Sequence, residues 1–230
     1  MRPRGVGPHG RSTPFAAVIF DNDGLLLDTE EAFTRAEETL FARRDRVWTT
    51  EHKRALIGSS GPVAAAMLER MLALPGAGAA LLAELDELVM EEVLQGVAPR
   101  PGATALLEKL AAAGVPLGLA SNSSRPFVER VLGGAGLLGA TSPFGVVVTA
   151  SDVARPKPAP DLYLAAAAAL GADPERCAAL EDSPPGAASA LAAGLFVIGV
   201  PYFPDGEMPE GIHLRARSLA APEVHAALGV

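Results

Sequence analysis

An open parallel α/β sheet, interrupted early by a block of helices, is the fold class this sequence predicts. Three observations point there. Short apolar runs recur without polar alternation, the pattern of strands covered on both faces. From about residue 100 onward these runs alternate with helical stretches, as in an open α/β sheet. Residues 30 to about 97, in contrast, offer helices and no strand candidate.

The first strand is "FAAVIF" (15–20), and it stops abruptly at Asp21 and Asp23. Helices then follow in "EEAFTRAEETLFARR", "EHKRALI", "PVAAAMLERML" and "AALLAELDELVMEEVLQ". In the last of these, Leu82, Leu85, Val89 and Val93 fall three and four apart and predict one apolar stripe. After "APRPG" (98–102) the sheet resumes with "VPLGLAS" (115–121), "GVVVT" (145–149), "CAALED" (177–182) and "LFVIGV" (195–200). Between them, "GATALLEKLAAAG" (102–114) and "APDLYLAAAAALG" (159–171) end in glycine, as helices commonly do. "PPGAASALAAG" (184–194) has proline at its start and glycine at its end, the asymmetry of a helix. The expected organisation is a disordered tail over 1–13, a Rossmann-like α/β core from 14–28 and 98–230, and a helical cap over 29–97. Linkers near 28–31 and 97–101 would join the two.

Composition narrows the function. Of 230 residues, 49% are hydrophobic and 20% charged, which suits a packed globular chain. The net charge of −8 argues against nucleic acid as a partner, because phosphate backbones call for clustered Lys and Arg. Cys177 is the one cysteine, so an internal disulfide or a multi-cysteine metal site is excluded, and it reads as a small core residue. The leader "MRPRGVGPHGRSTP" has arginines but no apolar segment of the secretory kind, and no stretch is long and apolar enough to span a bilayer. A soluble cytoplasmic protein is the expectation.

The chemistry is expected at the carboxyl ends of the strands, where open parallel sheets bind ligands. Those ends deliver Asp21 and Asp23, then Ser121 and Asn122, then Lys157 from "RPKPAPD", then Glu181, Asp182 and Ser183. Buried carboxylates are costly without a cation, and this set suits Mg²⁺, a hard ion that takes carboxylate oxygen and water. Carboxylates around a metal, with one lysine and a Ser/Asn turn, are the parts that phosphoryl transfer uses. One aspartate can attack phosphorus, and a second, two residues on, can serve the leaving oxygen and then water.

"FDNDG", "ASNS", "RPKPAPD" and "EDSPPGAASA", in that order, resemble the four motifs of the haloacid dehalogenase superfamily, in its branch of helical-cap phosphatases and phosphomutases. The likeness spans residues 15 to 200. It implies Asp21 as nucleophile, Asp23 as acid/base, and Ser121 and Lys157, with help from Asn122, as phosphate ligands. It also implies a Mg²⁺ site of Asp21, Asp182 and the backbone carbonyl of Asp23, with Glu181 directly or through water. The substrate would be a small phosphorylated metabolite such as a sugar phosphate or a sugar-acid phosphate.

A β-phosphoglucomutase-like phosphotransferase is the alternative. Against it, Phe33 stands where those mutases carry a cap histidine, and Gly61 where they carry an arginine. Blander readings exist for each motif: a turn pair at Asp21 and Asp23, a turn at Ser121-Asn122, a rigid surface loop with a solvated lysine at Lys157, a helix cap at Asp182 or Ser183. "GAGLLG" (134–139) follows a helical stretch, so it is a loop and no dinucleotide site. No GxSxG occurs, and Lys53 reads as a solvated cap residue that could touch substrate.

Overall fold

The computed structural model describes residues 13–230. The tail expected over 1–13 therefore lies, except for Thr13, outside the described residues. Among the described residues six parallel strands form the sheet: β1 Ala17–Phe20, β2 Leu117–Ser121, β3 Val146–Thr149, β4 Cys177–Glu181, β5 Phe196–Gly199 and β6 Leu214–Arg215, in the order β3-β2-β1-β4-β5-β6. The strands β1, β2 and β4 at the centre of the sheet are buried along their whole length. This is why their runs show no polar alternation.

Alternation of side chains still sorts the two faces. Val18 and Phe20 of β1 point into one core, with Leu106 and Leu110 of α5 (Ala103–Ala112), Val128 and Leu132 of α6 (Arg125–Gly134), and Val224 of α9 (Pro222–Leu228). Ala17 and Ile19 point into the other. That core contains Leu162 and Ala166 of α7 (Asp161–Ala169) and Ala187 and Ala190 of α8 (Pro184–Ala192). Cys177 is fully buried in this second core. The short β6 escaped the sequence reading, because a two-residue edge strand leaves no apolar run to find.

After β1 come four helices: α1 Thr29–Ala42, α2 Thr50–Leu56, α3 Gly61–Leu72 and α4 Gly78–Val93. They pack chiefly on each other, α4 lying against both α1 and α3. The expected α4 stripe needs one correction. Leu85, Val89 and Val93 are buried, joined by Leu81 and Leu88, but Leu82 is half-buried and faces a cavity. The two crossings between these helices and the sheet run side by side. Asp28 N–H donates to Ala98 O at 2.8 Å and Arg100 N–H to Leu26 O at 2.8 Å.

Candidate active site

The ends of β1, β2 and β4 and the loop after β3 converge. Lys157, from that loop, is 3% exposed and spends its three N–H donors on Asp21 Oδ1 at 2.6 Å, Glu181 Oε1 at 2.6 Å and Ala120 O at 2.8 Å. Tyr163 of α7 donates its hydroxyl to the same Glu181 Oε1 at 2.6 Å. Asp182 lies alongside, and one carboxylate oxygen each from Asp21, Glu181 and Asp182 come within 4.8 Å of one another. Two glycines make this crowding feasible. At Gly24 (φ +73°) a Cβ would sit 2.2 Å from Asp182 Oδ2, and at Gly186 in α8 a Cβ would sit 2.0 Å from Glu181 Oε2. Ser183 caps α8, its hydroxyl accepting from Gly186 N–H at 3.3 Å.

Charge does not balance here. One ammonium faces three buried carboxylates, and Asp182 Oδ2 has no hydrogen-bond partner among the described residues. Burial, then the neighbouring carboxylates, push Asp21 and Asp182 well above the usual carboxylate range, and Lys157 offsets this only in part. An orphaned, buried oxygen within an all-oxygen donor set fits a hard divalent cation held by Asp21, Glu181 and Asp182.

Asp23 is oriented by four donors. Asn22 Nδ2 and the Thr29 hydroxyl reach its Oδ1 at 2.9 Å, and the hydroxyls of Ser121 and Ser123 reach Oδ2 at 3.0 and 2.8 Å. Its carboxylate is not one of the three within 4.8 Å. Asn122 is occupied in holding other elements: Nδ2 donates to Lys157 O at 3.2 Å and to Gly58 O of the cap at 3.1 Å, while Oδ1 accepts from Lys157 N–H at 2.8 Å. Among the described residues, then, Asn122 positions the Lys157 loop.

Above the acids lies a cavity of about 470 Å³, between the sheet's carboxyl edge and the helices α1–α4. Asp21, Asp23, Asn122, Lys157 and Asp182 line its floor, and Phe33, Lys53, Glu30 and Glu37 line it from the cap. Lys53 corrects the expectation of a solvated residue. It is 5% exposed and ion-paired with Glu30 and, at 3.3 Å, with Glu37. Burial alone would lower its pKa, yet the two carboxylates outweigh that and raise it. Sequence reasoning missed this trio, together with Ser123 and Tyr163. A signal was available: Glu30 and Glu37 are seven apart on α1, on the same stripe as buried Ala36, Leu40 and Phe41.

One ammonium cannot neutralise two buried carboxylates, and burial pushes Glu37 from 4.5 up to about 8. Between those values the folded chain holds a proton that the unfolded chain has released, so this group costs stability as pH rises through the window. In melting curves against pH, Glu37→Gln should flatten that part of the profile relative to the parent. Parallel profiles would contradict the assignment.

Together these features describe a capped α/β enzyme with an acid-rich pocket at the end of its first strand. The chain belongs to the haloacid dehalogenase-like hydrolases, whose family model matches residues 15–194. CbbY of Rhodobacter capsulatus is 33% identical over 218 residues, 92% of this chain and 94% of that protein. Hexitol phosphatase A of Escherichia coli (strain K12) is 37% identical over 184 residues, 79% of this chain and 81% of that protein. CbbY from Rhodobacter sphaeroides, solved in complex with phosphate, matches with a TM-score of 0.79 at 32% identity, covering 94% of this chain and 100% of that one. A variant of the same protein has been solved with xylulose-(1,5)bisphosphate. The family expected from the four motifs and the fold class expected from the apolar runs are the ones found.

Proposed function

We propose that this hydrolase is a Mg²⁺-dependent phosphatase of a small phosphorylated metabolite, acting through an aspartyl-phosphate on Asp21. The observation that carries the reading is the meeting of Asp21, Lys157, Glu181 and Asp182 within hydrogen-bond or ligand distance under one cavity. Asp21 would attack phosphorus with a carboxylate oxygen, and the ester P–O bond would break. Asp23 would give its proton to the leaving oxygen, then take one from the water that attacks the aspartyl-phosphate, releasing inorganic phosphate and free Asp21.

Lys157 would balance charge on the phosphoryl oxygens, and Ser121 would turn its hydroxyl from Asp23 toward them. Asn122 would keep the Lys157 loop in register. Asp21, Glu181 and Asp182, with the backbone of Asp23, would hold the Mg²⁺, which supplies further neutralisation of phosphoryl charge. CbbY with bound phosphate and hexitol phosphatase A, each above 30% identity, support phosphate ester chemistry. Phe33 on the cavity wall supports hydrolysis over mutase chemistry, since it offers no proton-transferring group where the mutases carry histidine.

Phosphate release from a panel of phosphorylated metabolites is the test. EDTA should silence turnover and Mg²⁺ restore it; hydrolysis that persists without metal would contradict the site.

A further inference from the structure

Away from the acidic floor, the charged residues lining the cavity are Glu30, Glu37, Asp86 and Lys53. Apart from Lys157, Lys53 is the one cation among the described lining residues. It is not free to bind an anion. A protonated amine has three N–H donors, and Lys53 directs them to the Glu30 carboxylate, to Glu30 O at 3.2 Å and to Glu37 Oε2 at 3.3 Å. Turning it toward a ligand would strand two carboxylates whose side chains are only 8% and 4% exposed. The second oxygens, Glu30 Oε1 and Glu37 Oε1, accept no hydrogen bond from the described residues, and both residues border the cavity.

Resting on the phosphatase reading above, we infer that the substrate is a phosphomonoester whose leaving group is an uncharged polyol. Glu30 and Glu37, braced by Lys53, accept hydrogen bonds from its hydroxyls and exclude a second phosphate or a carboxylate.

The chemistry of the wall supports each half. Carboxyl groups with free oxygens pair with the hydroxyls of a polyol, and the apolar faces of Phe33 and Leu85 suit its carbon chain. A second anionic group would enter a confined space beside Glu30 and Asp86 with no spare cation to meet it. Like charges in such a setting repel by several kcal/mol. On this wall a sugar bisphosphate, the ligand of the solved CbbY variant, finds no free cation for its second phosphate.

Steady-state kcat/KM with Mg²⁺ tests this on polyol and aldose monophosphates of three to six carbons. Each is compared with the sugar-acid phosphate and the bisphosphate of the same length, with p-nitrophenyl phosphate as a probe of the floor alone. The expected result is a preference for the neutral polyol of at least ~100-fold. A bisphosphate or sugar-acid phosphate that matches or beats it overturns the inference and leaves the phosphatase reading standing. So does turnover of p-nitrophenyl phosphate with no polyol phosphate accepted. Silence on every compound overturns both.

Glu30→Gln combined with Glu37→Gln leaves Lys53 uncompensated and should narrow the ratio at least ~10-fold. An unchanged ratio in the folded double variant removes these residues from the discrimination.

Discussion

Asp21→Asn should abolish turnover while leaving the fold at least as stable as before. The amide keeps the shape of the carboxylate but lacks its nucleophilic oxygen. A loss of at least ~10⁴-fold in kcat is therefore expected, in line with removal of other enzymic nucleophiles. Stability moves the other way for an electrostatic reason. Burial, Glu181 and Asp23 raise the Asp21 carboxyl well above its usual range, so ionised Asp21 at neutral pH is a cost to the folded chain. Its contribution is most favourable below the ordinary carboxylate pKa and is lost as pH rises through the folded value. Asn removes that charge, so Tm in metal-free buffer should hold or rise even as activity disappears. Mass spectrometry of quenched reactions should find the parent phosphorylated on Asp21 and the variant unmodified. Activity within ~100-fold of the parent would show that another group attacks phosphorus.

How much of this was readable in the chain depends on how local each signal was. The five longer strands were legible because each is a burst of apolar residues, four of them running into a polar one, and a parallel sheet buried on both faces tolerates little else. The convergence of Asp21, Ser121, Lys157 and Asp182 was legible for the same reason, since parallel strands place all their carboxyl ends on one edge. The cap side of the cavity was not. Glu30 and Glu37 lie on the buried stripe of α1, but Lys53 looks like an ordinary helix-surface residue, and the pairing of the three arises from how α1 and α2 meet. Helical periodicity gives the face of each helix but not which faces pair. Lys53 was consequently expected in solvent, and Leu82, which faces the cavity, was expected in the apolar stripe.

Lys157→Met separates the two duties of the buried ammonium. On the proposed mechanism its catalytic duty is charge stabilisation at the phosphoryl group, and loss of one such preorganised donor costs on the order of 10²–10³-fold in kcat. Its structural duty is visible without substrate. Asp21 and Glu181 each meet Lys157 at 2.6 Å, and methionine would leave both facing each other and Asp182 with the Tyr163 and Ser183 hydroxyls, both on Glu181, to help. Removing one partner of a buried ion pair costs about 3–5 kcal/mol, which for a chain of this size lowers Tm by roughly 10 °C in EDTA. A divalent cation bound by the same carboxylates supplies the missing positive charge. Mg²⁺ should then raise the Tm of Lys157→Met by more than it raises that of the parent, although turnover of the variant stays depressed. Lys157→Arg should rescue neither property, because a planar fork cannot replace a compact ammonium enclosed by three acceptors. Equal Mg²⁺ shifts in parent and variant would mean that the cation binds away from Lys157. The carboxylates beside it would then not be the metal's ligands, and the shared pocket of metal, lysine and nucleophile would come apart.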